Sequence, residues 1–202
     1  DATPSAFYGH STERDNADEI TRYLLDGHLD LLCGSGMREF TRRNDGVDLV
    51  SDLKKAGYAF ITDAEDLENQ SGKVICIDER MDEAAEEATL TMLADATEDA
   101  IELLQKQSKK GFFLMVEGAK IDYAGHSNSL PGSVIETLSF DLAVAEALKF
   151  ADENGETLVI VTGDHETGGL TLLDGDEKTG RVLATFVTND HTPAMLPVFS
   201  YG

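Results

Sequence analysis

Apolar positions recur at helical spacing over residues 17–32 (ADEITRYLLDGHLDLL) until Gly34, Ser35 and Gly36 break the pattern, which predicts a helix, a short strand and a turn. A second, shorter helix is predicted over 47–55, stopping at Gly57. The next segment, YAFIT (58–62), is aromatic and β-branched and reads as a strand, as does VICI (74–77). Residues 82–109 are rich in Ala, Glu, Leu and Lys and contain neither Pro nor Gly, so they predict one long surface helix. Its acidic start, 82–87, suits the positive end of a helix dipole.

The run FFLMV (112–116) is continuously apolar and too short for a helix, the pattern of a strand covered on both faces. A loop with Pro131 and Gly132 leads into 134–154, where Ile135, Leu138, Leu142, Ala145 and Leu148 mark an amphipathic helix closed by Gly155. TLVIVT (157–162) repeats the buried-strand pattern. Strand, helix and strand joined by short connections predict a βαβ unit, and hence an α/β fold with a mostly parallel sheet between helices, a three-layer α/β/α sandwich. Residues 170–202 are punctuated by Gly and Asp and predict short strands, LPVFSY (196–201) among them. Without a repeat or a linker, residues 1–202 read as a single domain.

Charge changes the picture. Against 39 acidic residues stand 16 basic ones, a net charge of -23, which repels DNA, RNA and anionic membranes. That field also repels a phosphate ester, so any phosphate chemistry must rest on bound cations that reverse the local sign. Cys33 and Cys76 lie outside any CxxC pattern, and their spacing decides nothing between free thiols and a bridge; free structural thiols are the preferred reading. No signal peptide and no apolar run of the ~20 residues needed to span a bilayer is present in the sequence. The chain opens on DATP without Met, from which an upstream segment is expected.

The two most apolar runs each lead into metal-competent side chains: FFLMV into EGAKIDYAGH, and TLVIVT into GDHETGG. In open α/β sheets ligands bind beyond the carboxyl ends of strands, so these loops are expected to face one cleft. Asp122 and His126, four apart, share a face of a helical turn and can share a zinc ion. Asp164 and His165 are adjacent among glycines that let a loop turn both inward. His191, in TNDHTP, is the candidate third imidazole. Each also has a plainer reading: a solvated helix face, a polar turn, an exposed loop histidine. The coincidence of the clusters favours metal. His10 and His28 read as structural or surface residues.

VEGAKID followed by His126, TGDHETGG, and His191-Thr192 ahead of LPVFSYG resemble the ordered signature blocks of the alkaline phosphatase family. The opening DATP with Arg14 resembles the family segment that supplies a magnesium ligand and a phosphate-binding arginine; DHETGG is more similar to the bacterial branch. The resemblance runs from the first residue to the last. It implies one zinc ion on Asp122, His126 and His191, a second on Asp164 and His165, and magnesium on Glu117 and Thr3 with Asp1 behind it. Arg14 would grip the phosphate. The implied activity is hydrolysis of phosphate monoesters by in-line displacement, through a phosphoserine. The serine and an aspartate that bridges the second zinc and the magnesium are expected upstream, so the sandwich is expected to be incomplete at its N-terminus and the 202 residues inactive alone. Related phosphodiesterases or sulfatases, and an inactive metal-binding fragment, are the competing readings. Tyr123 stands where the family varies. Family habit implies a periplasmic or secreted homodimer.

Overall fold

A computed structural model describes residues 2–202; Asp1, and with it the expected support for magnesium, lies outside the described residues. The chain divides into two compact units. The first comprises the stretch through Glu83 together with Asp95–Glu117, the second Ala84–Ala94 with Gly118–Gly202.

The first unit carries helices α1 (Ala2–Ala6), α2 (Ala17–Arg22), α3 (Met37–Thr41) and α4 (Leu49–Lys55), and strands β1 (Leu31–Gly34), β2 (Ala59–Ile61) and β3 (Val74–Ile77). The strands form a parallel sheet in the order β1-β3-β2. Every residue of the central β3 is buried, as its unbroken apolar run requires. Leu24, Phe40, Leu49, Leu53 and Tyr58 pack against Ile75 and Ile77, while Leu67 and Leu103 pack with Val74. Asn16 and Asp48 cap α2 and α4 by accepting from the backbone N–H of Glu19 and Ser51. Two buried charges are fully engaged. Arg43, its side chain 2% exposed, pairs with Asp45 at 2.6 Å and donates to the Thr21 hydroxyl and the Glu39 and Asp18 carbonyls. Asp78 follows β3 and accepts from the backbone N–H of Ala64 and Arg80 and from the Arg80 guanidinium. Cys33 and Cys76 are opposed in register across β1 and β3 as free thiols.

The helix expected over 82–109 is shorter: α5 spans Met92–Gln107. Backbone groups that the missing turns would use are taken elsewhere. Glu136 accepts from the Ala85 N–H at 2.7 Å, and the Leu90 carbonyl accepts from the Ser139 hydroxyl at 2.9 Å. A second difference concerns 112–116, which joins no ladder among the described residues; Phe113 is 73% exposed and stacks on Phe7 at 5.4 Å. An apolar run specifies what a strand buries, and without a hydrogen-bonded neighbour it does not make one.

The second unit holds α6 (Lys120–His126) and the 25-residue α7 (Leu130–Asn154). Ser129 caps α7 by accepting from the Gly132 N–H, Pro131 sits in its first turn, and Gly155 ends it with φ 68°. Strand β4 (Val159–Thr162) pairs antiparallel with β9 (Val198–Tyr201), and Ile160 is exposed; among the described residues β4 has no parallel partner, where the sequence predicts a βαβ unit. Two further antiparallel pairs are β5 (Glu166–Thr167) with β8 (His191–Thr192), and β6 (Thr171–Asp176) with β7 (Arg181–Thr185). The fold is α/β; its parallel sheet is built by β1, β2 and β3. Among the described residues no helix is long and apolar enough to cross a membrane.

Candidate metal centre

Three elements of the second unit deliver the side chains. Helix α6 carries Asp122 and His126 one turn apart, the loop between β4 and β5 carries Asp164 and His165, and β8 carries His191. The two-residue ladder of β5 and β8 places His191 opposite Thr167. Helix α6 lies close on β5 because residue 125 is glycine. A Cβ there would stand 2.9 Å from both the Thr167 Cβ and the Thr167 carbonyl oxygen. Gly168 is left-handed at φ 89°, and a Cβ on it would meet the Gly125 carbonyl at 2.9 Å.

Asp122 Oδ1 lies 3.4 Å from His126 Nε2 and 3.4 Å from His191 Nε2, and the two nitrogens are 3.2 Å apart. Zinc bonds of ~2.0–2.1 Å in a tetrahedron separate neighbouring donor atoms by about 3.3–3.4 Å. The triangle therefore has the edge lengths of one face of a zinc tetrahedron. The Nδ1 of His126 is 2.7 Å from the Asn189 carbonyl, which only accepts, so Nδ1 is the donating nitrogen and Nε2 is the one turned to Asp122 and His191. A carboxylate oxygen and two imidazole nitrogens thus converge at distances that a divalent cation can bridge.

Beside it, His165 Nε2 and Asp164 Oδ2 stand 3.2 Å apart, a second edge of suitable length. The His165 and His191 rings stack at 3.5 Å, and Asp122, His165 and His191 themselves form a group able to hold an ion, as do His126, Asp190 and His191. Glu166 faces away into structure: its carboxylate accepts from the N–H groups of Gly169 and Leu170 and from the Thr192 hydroxyl. Burial alone pushes its carboxyl up, and these hydrogen bonds together outweigh that and hold it below the ordinary range. The other candidate residues belong to the first unit. Thr3 is on α1, Arg14 sits exposed in a turn before α2, and Glu117 is half-buried ahead of α6.

Thr167, Asn189, Asp190 and Gly125 do not figure in the sequence reading. Thr167 lies inside GDHETGG, where only the strong metal ligands stand out, and Asn189 acts through its backbone carbonyl, which no side-chain pattern reveals.

The family model for alkaline phosphatases matches residues 1–202, and the chain belongs to the alkaline phosphatase family. Alkaline phosphatase 4 of Bacillus subtilis is 37% identical over 187 residues, covering 88% of this chain and 40% of that protein. The alkaline phosphatase of Escherichia coli is 30% identical, over all of this chain and 53% of its own length. The solved alkaline phosphatase of the Antarctic bacterium TAB5 superposes with a TM-score of 0.88 at 35% identity, over 100% of this chain and 61% of that one. The fold is thus alkaline phosphatase-like, and the chain spans about 40% of the Bacillus relative.

Proposed function

We propose that the whole protein hydrolyses phosphate monoesters with two zinc ions and one magnesium ion. The observation that carries this is the triangle of Asp122 Oδ1, His126 Nε2 and His191 Nε2, whose 3.2–3.4 Å edges fit a tetrahedral ion. Three protein ligands are the set that a catalytic zinc takes, its fourth position being kept for water or substrate. Asp164 and His165 hold the second zinc, and Thr3 and Glu117, a hydroxyl and a carboxylate, suit magnesium. A solved variant of the TAB5 enzyme carries bound magnesium, which supports that third ion. The net charge of -23 supports the same reading, since a phosphate ester needs local cations to enter so negative a field.

Bound there, the ions supply Lewis-acid stabilisation of the entering and leaving oxygens of an in-line displacement. The chain's own residues supply orientation and charge. Arg14 binds two phosphate oxygens through its planar fork and offsets their negative charge in the transition state. Asp122, His126 and His191 fix their donor atoms before substrate arrives, which removes reorganisation from the reaction. The nucleophile is a serine that becomes phosphorylated; it is not among the site residues named here. Location in the periplasm or outside the cell, and assembly as a homodimer, are further parts of the proposal that rest on the family.

The test is hydrolysis of p-nitrophenyl phosphate at alkaline pH by the full-length gene product. Turnover that falls by at least ~100-fold on Arg14→Ala and on Asp164→Ala is the expected result, the scale seen when one transition-state charge partner is removed. Undiminished rates in both variants, or faster turnover of a diester such as bis(p-nitrophenyl) phosphate, would overturn it.

A further inference from the structure

Thr167 occupies a position between the two ligand sets. Its hydroxyl is 2.5 Å from Asp122 Oδ1, in the first set, and 3.1 Å from His165 Nδ1, in the second. A hydroxyl has one hydrogen and an ionised carboxylate only accepts, so Thr167 donates to Asp122. Its oxygen is then free to accept from His165 Nδ1, which turns the other ring nitrogen, Nε2, towards Asp164 at 3.2 Å. One side chain thereby contacts a carboxylate of one set and an imidazole of the other.

The threonine is itself held from three sides. Its backbone is paired with His191 in the β5–β8 ladder. The absent side chain of Gly125 lets α6 come within contact distance of it. Gly168, directly after it, donates from its N–H to the Asp190 carbonyl at 3.0 Å and accepts through its own carbonyl from the N–H of Val187 at 3.0 Å. A hydroxyl so placed has no rotational freedom to spare and keeps both partners preset.

We infer that Thr167 is a positioning residue that couples the two metal sites, so that losing its hydroxyl weakens both ligand sets together. The inference rests on the metal reading of Asp122, His126, His165 and His191 given above. Removing a residue that supports a metal ligand typically lowers affinity by roughly 10–100-fold. For Thr167 that loss falls on two ions, whereas a residue serving one ligand would affect one.

The test compares the full-length protein with Thr167→Val, which keeps the shape and loses the hydroxyl, and Thr167→Ser, which keeps the hydroxyl. The metal-free proteins are titrated with cobalt(II), followed by its visible absorption, and with zinc against a competing chelator. Thr167→Val is expected to weaken two binding events by about 10–100-fold each and to change the cobalt spectrum, with both restored in Thr167→Ser. Thermal melting of the metal-free forms tests for a general folding defect, and Thr167→Ala replaces Thr167→Val if the latter does not fold. Wild-type affinities and spectrum in the valine or alanine variant, loss at one site alone, or a serine variant as impaired as valine would overturn the inference. If the wild type itself shows no cobalt binding that His126→Ala abolishes, the metal reading fails, and this inference with it.

Discussion

His126 is tied through Nδ1 to the backbone carbonyl of Asn189, 63 residues further along the chain, at 2.7 Å. The bond fixes which nitrogen faces Asp122 and His191, and it fastens the last turn of α6 to the loop that leads into β8. His126 is therefore both a candidate ligand and a clasp between two elements of the site.

Replacing His126 by Ala is expected to weaken one of the two tight zinc equivalents beyond the ~10–100-fold typical of a supporting residue. Equilibrium dialysis with metal analysis of wild type and variant checks it. Equal stoichiometry and affinity would remove His126 from the ligand set.

Gly125→Ala tests the packing that places the site. The added methyl would stand 2.9 Å from the Thr167 Cβ and carbonyl oxygen, closer than carbon and backbone tolerate, so either α6 or β5 must move. Overpacking of this kind costs about 1–3 kcal/mol, and here the displacement also separates Asp122 from Thr167. A lower melting temperature of the metal-free protein, together with weaker zinc binding, is the expected outcome. An alanine variant that melts and binds as wild type does would show that α6 has slack against β5.

How much of the site is legible in the sequence depends on where each contact lies in the chain. Asp122 and His126 are four apart, and a helix turn alone brings them to one face, so their pairing follows from spacing. The opposition of Thr167 and His191 comes from a two-residue ladder between segments 24 positions apart, too short to leave any alternating pattern. The fully apolar VICI became the buried centre of a parallel sheet, because nothing in it competes with burial. FFLMV has the same composition without a ladder partner among the described residues, and 84–91 has helix-forming residues whose backbone is engaged by Glu136 and Ser139. Composition reports preference, and these segments were decided by partners distant in sequence.

The buried carboxylate of Asp78 makes a prediction about acid. The Arg80 guanidinium, aided by the backbone N–H groups of Ala64 and Arg80 and opposed by burial, holds its pKa down to about 2. An unfolded aspartate titrates near ~3.9. Because the folded value is the lower one, the stabilisation is complete above pH ~4 and is lost as pH falls towards 2, where the folded carboxylate also takes up a proton. Other acidic groups titrate over the same range, so the difference between wild type and Asp78→Asn isolates this one. At neutral pH the asparagine variant should be less stable by about 1.5–3 kcal/mol, the scale of hydrogen bonds to a charged group. Urea unfolding followed from pH 6 to pH 2 should show the two stabilities converging below pH 4. A gap that stays constant over that range would mean that Asp78 contributes through shape alone, and that its ionisation is not linked to folding.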